Sequence, residues 1–246
     1  MRMNCRWIRL IAVAQCLVAS VASARIGPYA RVSFGGDQLR MGAGNALLRD
    51  VKTSFEAQGL SADFHNIHAA SGPSASAGLW LLPGFRVGAT YAAGHSYTEN
   101  RLHVPGNLFY AEDLDFRMEE VGAEAAITVN RWKGFTLGGH VAQSRAKMIE
   151  GHTEQDFTGS VADLFQDATA EKTKITYGAY MGVEQHNENG IVGFLRAGYQ
   201  FRDMGSMPSK LLISDGFSSV STTSTTIDLD FSGYYMRLGV GVDFRQ

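Results

Sequence analysis

The chain has 246 residues, with 22 basic and 24 acidic side chains, 45% hydrophobic residues, 28 glycines and 5 prolines. That is room for one large all-β domain or two small ones, and a near-neutral chain without a basic stripe excludes a nucleic-acid binder. Both cysteines, Cys5 and Cys16, fall within the first 24 residues, which excludes disulfides and thiolate chemistry from everything downstream.

The opening stretch reads as an export signal. Arg2, Arg6 and Arg9 supply the positive end, 10–21 is apolar apart from Gln15 and Ser20, and Ala22-Ser23-Ala24 fits the small-residue cleavage pattern. Gln15 before Cys16 is bulkier and more polar than a lipidation site wants. We therefore expect 1–24 to be a signal peptide and 25–246 to form one domain. Without the three signal arginines the chain carries 19 basic residues against 24 acidic, a net charge of −5. Past Ala24 no apolar run approaches the roughly 20 residues of a spanning helix. Any crossing of a membrane must be made by strands.

Eight segments alternate with period 2, the mark of strands. Ala30, Val32 and Phe34 alternate with Arg31 and Ser33. Segment 74–82 is a second strand whose phase stays open, because Trp80 and Leu82 compete with Leu79 and Leu81 for the apolar face. Val87, Ala89, Tyr91 and Ala93 follow, then Val121, Ala123, Ala125, Ile127 and Val129, then Phe135, Leu137, Gly139 and Val141. Ile175, Tyr177, Ala179, Met181 and Val183 make the sixth, and Leu195, Ala197, Tyr199 and Phe201 the seventh. The last, 231–244, is the clearest: Tyr234, Met236, Leu238, Val240, Val242 and Phe244 share one face, with Tyr235, Arg237, Gly239, Gly241 and Asp243 on the other. Fourteen residues rising about 3.3 Å each and tilted by about 45° climb about 33 Å, enough to cross the hydrocarbon.

Short connections at 83–84, 130–134 and 184–190 alternate strictly with long polar ones at 37–72, 95–114, 146–172 and 203–228. This predicts an all-β, eight-stranded antiparallel up-and-down transmembrane β-barrel with short periplasmic turns and long extracellular loops. Within those loops, Leu47, Leu48, Val51 and Phe55 predict a helix over 46–58, with Asn45 as N-cap and Gly59 as C-cap. Val161, Leu164 and Phe165 suggest a further helical turn, and 218–226 (SSVSTTSTT) reads as a loop tip.

The polar face of each strand decides which side meets lipid. A water-facing side should be rich in Lys, Glu and Asp. Here it is mostly Gly, Ala, Ser and Thr, as suits a narrow lumen filled by side chains. Phe34, Phe85, Tyr91, Trp132, Phe135, Tyr199, Phe201, Tyr234 and Phe244 sit near strand ends, where aromatic girdles form. The isolated charges then lie inside. We expect a lumen polar network of Arg196 and Arg237 with Glu120 and Glu124, whose role is to hold register. No catalytic or metal site is expected, since His65 and His68 lack further ligands. No cofactor is expected either, because the glycines of 238–242 lie within a strand and do not open a helix.

On two segments, 27–36 (GPYARVSFGG) and 229–244 (LDFSGYYMRLGVGVDF), the chain resembles the small outer-membrane β-barrel proteins of the OmpA-barrel, OmpX and opacity-protein type. Arg245 and Gln246 depart from the usual ending on an aromatic residue. The resemblance implies a cell outer-membrane location, contact with outer-membrane lipids and lipopolysaccharide, recognition by the barrel-assembly machinery, and a monomer. It also implies a non-enzymatic role in envelope integrity, adhesion or surface interaction through the loops, with an extracellular ligand or surface as partner. A narrow channel for small or hydrophobic solutes is one alternative. The other is a lipid A-modifying enzyme: some barrels of this kind are deacylases using Ser, His and Glu, and His95, Ser96 and Glu99 are the local counterpart. Adjacent residues on a strand point to opposite faces, which disfavours that reading.

Overall fold

The computed structural model describes residues 27–40, 42–57, 65, 68–104, 108–130, 134–156, 164–214, 219–222 and 226–244, so the expected signal at 1–24 lies outside the described residues. The strands, in chain order, are β1 (Gly27–Gln38), β2 (Ala69–Leu82), β3 (Phe85–Val104), β4 (Leu108–Asn130), β5 (Phe135–Asp156), β6 (Leu164–His186), β7 (Ile191–Phe201), β8 (Asp203–Ser214), β9 (Ser219–Thr222), β10 (Thr226–Asp230) and β11 (Gly233–Asp243). One helix, α1 (Gly42–Ala57), follows β1 and lies against β10. Consecutive strands β1 to β7 pair antiparallel, β7 pairs β11, and β11 pairs β1 through Val32↔Val240 and its neighbours. Eight strands thus close a ring, and closure removes the sheet edges that lipid could not satisfy.

The turns at one end repeat a device. Gly84 and Gly190 hold φ of 87° and 77°, a backbone that L side chains rarely adopt. Each then offers its carbonyl to the next strand, Gly84 accepting from Thr128 N at 2.6 Å and Gly190 from Asp243 N at 2.8 Å.

The outer surface carries an apolar belt. Leu238 is 68% exposed, and Val32, Phe34, Val121, Val141, Ile175, Tyr177, Met181, Tyr234, Met236 and Val240 are also exposed. Exposing so much apolar side chain to water would be untenable for a soluble protein. Going outward along the strands the belt ends abruptly. Past Ala93, Val121, Val141 and Ile175 the next outward residues are His95, Glu119, Gln143 and Thr173. The inside changes in the opposite sense. Level with the belt it is polar, whereas beyond it Leu114, Phe116, Met118, Met148, Met204 and Phe231 are buried together in an apolar core. The Phe116 and Phe231 rings lie 4.3 Å apart. The barrel is therefore inside-out in the membrane and conventionally packed above it, as each solvent demands.

Four expectations about the long connections change. Segments 95–114 and 146–172 are largely continuations of β3, β4, β5 and β6, and 203–228 is largely β8, β9 and β10. The alternation persists there, but its apolar side has moved indoors, so an outward-apolar reading mistakes it for loop. Twenty-three residues of β4 at about 3.3 Å each and about 45° tilt climb about 54 Å, roughly twice the ~25 Å apolar band of such barrels. Leu164 and Phe165 belong to strand β6 and not to a helical turn, with Val161 outside the described residues. In the low-complexity stretch, 219–222 is strand β9 and Thr226 opens β10. The predicted helix exists but starts at Gly42, so Asn45 lies inside it and does not cap it; Gly59 is outside the described residues.

The open phase of 74–82 is resolved by a bulge between Trp80 and Leu82. Trp80 turns inward at 3% exposure and Leu82 outward at 61%. One extra residue lets both apolar side chains find an apolar or aromatic setting.

Candidate functional site

Alternation places every second residue of each ring strand on the axis, and there ten charges meet. Arg31, Arg86, Arg196, Arg202 and Arg237 are matched by Asp37, Glu120, Glu124, Glu184 and Asp243. A buried charge without a partner costs several kcal/mol. Equal numbers and short distances offset that cost. The charges form three tiers along the axis.

At the turn end, Glu184 accepts from Arg86 Nη2 at 2.8 Å and Nη1 at 3.0 Å, and also from Arg31. Arg31 reaches Asp243 at 3.5 Å, and Asp243 meets His186 Nε2 at 2.9 Å. The guanidinium of Arg86 lies over the Trp80 ring at 5.2 Å, and that of Arg31 over the Tyr29 ring at 5.4 Å.

In the middle, Glu124 accepts from the Tyr29 hydroxyl at 3.0 Å, the Tyr180 hydroxyl at 3.3 Å and Arg196 Nη1 at 3.2 Å. Arg196 is held between the Phe194 and Tyr180 rings, 4.5 and 4.8 Å from their centroids.

The outer tier centres on Glu120. It accepts from Arg202 Nε at 2.9 Å and Nη2 at 3.0 Å, from Gln200 Nε2 at 2.6 Å and from Ser144. Arg202 also reaches Asp37 at 2.8 Å, and Asp37 binds Arg237 at 3.1 Å. Arg202 sits at the kink between β7 and β8, where its backbone N donates to Ser232 Oγ and its carbonyl accepts from Phe231 N. The apolar core closes directly above.

The expected group of Arg196 and Arg237 with Glu120 and Glu124 is wired through further residues. Arg196 reaches Glu124. Arg237 is the direct cross-strand neighbour of Arg196 but turns to Asp37, and Glu120 is served by Arg202. Two like charges facing each other across a ladder repel, so they diverge toward different carboxylates. Sequence reasoning passed over Arg31, Arg86, Glu184, Arg202, Asp37 and Asp243 as network members. The signal is present: each continues the inward parity of its strand, but Glu184 and Asp37 fall in the expected connections and Arg202 lies just before one. A cavity of about 50 Å³ between the middle and outer tiers, lined by Ser33, Ser76, Thr90 and His140, has room for roughly one or two waters.

The other candidates do not converge. His95 points outward and its Nε2 meets Asp115 at 2.9 Å, while Ser96 lies on the other face of β3. His65 and His68 are exposed. Among the described residues no three His, Cys, Asp or Glu side chains gather as a metal site.

A closed antiparallel ring of eight strands, apolar toward its surroundings and charged along its axis, is the build of a small outer-membrane β-barrel protein. No protein-family model matches the chain, and no curated protein matches it in sequence. Among solved structures it is similar to Ail, the attachment invasion locus protein of Yersinia pestis, solved in complex with the heparin analogue sucrose octasulfate. That similarity has 14% identity, covers 89% of this chain and 99% of that one, and gives a TM-score of 0.46. It is also similar to Neisserial surface protein A, at 15% identity over 91% and 98% of the two chains with a TM-score of 0.43. A third is the outer membrane protease OmpT from Escherichia coli, at 11% identity over 89% and 97%, TM-score 0.42. The assignment of the fold rests on the strand ladder itself.

Proposed function

We propose that this chain, exported by 1–24 and assembled through its terminal strand, is a non-enzymatic, monomeric outer-membrane protein. In this reading it acts through its outer hairpins in surface contact, adhesion or envelope integrity. The observation that supports this most is the stopped lumen. Three tiers of paired charges and then an apolar core occupy the axis. A solute would have to break several buried ion pairs, each break costing about 3–5 kcal/mol. The surface left for other molecules is the outside of β3 to β6 and of β8 to β10, beyond the belt.

The test has two arms. Purified protein in planar bilayers should be electrically silent, and steady conductance above the lipid background overturns the closed-barrel reading in favour of a narrow channel. Cells with and without the chain are compared for attachment to saccharide-coated and abiotic surfaces and for detergent sensitivity. A difference that survives Ser96→Ala is expected. Identical cells, or loss of the difference with Ser96→Ala alone, overturn the proposal.

A further inference from the structure

The hydrogen bonds of the lumen do not balance. Among the described residues, the buried side-chain atoms there that lack a hydrogen bond include Nε of Arg31, Arg86 and Arg196, Nη2 of Arg196 and Nη1 of Arg237. All of these are cationic N–H donors, and no lumen carboxylate oxygen is left over with them. A buried donor that has given up water and gained no acceptor is destabilising, the more so when it carries charge.

Two of these arginines stand side by side. Arg196 and Arg237 occupy one rung of the β7–β11 ladder on its inward face, and Arg196 is only 8% exposed. Each gives one nitrogen to a carboxylate, Arg196 Nη1 to Glu124 at 3.2 Å and Arg237 Nη2 to Asp37 at 3.1 Å. Arg196 Nη2 has Glu184 Oε1 at 3.6 Å, beyond hydrogen-bond reach. The rung itself therefore carries two cations with no shared counter-charge between them.

The cavity of about 50 Å³ lies against this pair, with Arg31, Arg196 and Arg237 in its wall together with Ser33, Ser74 and Ser76. Ser33 and Ser74 share a hydrogen bond at 2.6 Å, which uses one of their two hydroxyl hydrogens. Glu120 and Glu124 also border the cavity, but their oxygens are occupied. Glu124 accepts from Tyr29, Tyr180 and Arg196, and Glu120 from Arg202, Gln200 and Ser144. Spare donors beside occupied acceptors suit an occupant that accepts and does not donate. A water brings two hydrogens that need acceptors of their own; a monatomic anion brings none. The volume, one or two waters' worth, leaves no room for a phosphate or a sulfate.

We infer that this cavity is a halide site, in which chloride is held between Arg196 and Arg237 with the serine hydroxyls around it. The inference rests on the closed-lumen reading. The ion supplies the counter-charge that the rung lacks, and it is retained because the middle and outer tiers close the axis on either side of it. It also joins Arg196 on β7 and Arg237 on β11 to Ser33 on β1 and Ser74 on β2, so the halide becomes a structural part of the plug.

The test uses purified, refolded full chain in neutral detergent, unfolded by urea at fixed ionic strength while sodium gluconate is exchanged stepwise for sodium chloride or bromide. A halide that binds only the folded chain raises the folding equilibrium constant about tenfold for each tenfold of halide above its dissociation constant. That rise is expected with both halides, lost in Arg237→Gln and kept in Arg117→Gln, whose side chain is exposed on the outer face of β4. Equal midpoints in gluconate and chloride, a rise of the same size in Arg237→Gln, or an equal loss in Arg117→Gln overturns the site. If Arg237→Gln does not fold, crystals of the unaltered chain grown in bromide decide. Anomalous scattering between Arg196 and Arg237 supports the site, and water alone at that position overturns it. Conductance in planar bilayers would sink the closed lumen, whereas a silent bilayer with halide-independent midpoints sinks the halide site alone.

Discussion

Arg202 and Glu120 meet in a two-pronged ion pair, Nε to Oε1 at 2.9 Å and Nη2 to Oε2 at 3.0 Å, where the lumen turns from charged to apolar. The two residues are 82 positions apart, Glu120 on β4 and Arg202 just past the end of β7. Arg202 is also the residue at which the last hairpin bends over the barrel mouth. One ion pair therefore ties the bent cap to the wall.

Removing one partner should do more harm than removing both. Glu120→Ala leaves Arg202 buried with only Asp37 as counter-charge and should cost about 3–5 kcal/mol of unfolding free energy. Replacing the pair together, with Glu120→Leu and Arg202→Met, should cost clearly less. Urea titrations of the folded protein in micelles, followed by tryptophan fluorescence, check this. Additive losses would show that the two residues are not coupled.

The lipid-facing assignment of Leu238 predicts a depth-dependent penalty. Leu238→Arg near the centre of the belt should cost about 2–4 kcal/mol, while an arginine at Gln143, just beyond the boundary, should cost about 0–1 kcal/mol. The same urea titration reads both. Equal costs would mean that the belt does not face hydrocarbon.

Two glycines one ladder rung apart in neighbouring strands should respond oppositely. A Cβ on Gly239 would come within 2.3 Å of the Val32 carbonyl and 2.4 Å of the Phe194 ring, whereas one on Gly193 meets nothing within 4 Å. Gly239→Val should cost about 1–3 kcal/mol through overpacking. Gly193→Ala should be neutral or gain about 0.4–1 kcal/mol by restricting the unfolded chain. Refolding yield and urea midpoint distinguish them.

Beyond the membrane, the β4–β5 hairpin carries a proton-sensitive cluster. His152 Nδ1 lies 3.1 Å from Glu112 Oε2 and its Nε2 lies 3.4 Å from Glu154, while the Tyr110 hydroxyl donates to Glu112 at 2.9 Å. Burial, and then the neighbouring Glu112 carboxylate, push the Glu150 carboxyl up to about 8. The hydrogen bond to Glu112 raises His152 above the ordinary histidine range. Both groups hold protons more tightly folded than unfolded. Their stabilisation is therefore complete below the ordinary carboxylate range and is lost as pH rises through about 8. Amide hydrogen exchange in 108–156, corrected for intrinsic rate, should show less protection at pH 9 than at pH 6. Glu150→Gln should flatten the change, and an unchanged profile in that variant would remove Glu150 as its source.

The barrel is unusually legible in the sequence because a membrane strand repeats every second residue and must stay apolar on one face for its whole crossing. Tyr234, Met236, Leu238, Val240 and Val242 spell out that face without any reference to the rest of the chain. Leu114 follows the same period on β4 as Glu120 and Glu124, and Met148 the same period on β5 as His140 and Ser144, yet both read as loop. Their environment differs only because the solvent outside has become water.

What the residues determined alone was local: eight period-2 segments, the glycine turns, and a polar side too small and too sparsely charged to face water. Which charge meets which was decided only by closure of the ring. Ion pairing depends on positions 82 residues apart, as for Arg202 and Glu120, or 200 apart, as for Arg237 and Asp37. Side-chain length, kinks and like-charge repulsion choose among several carboxylates within reach, and none of those quantities is written in the spacing along one strand.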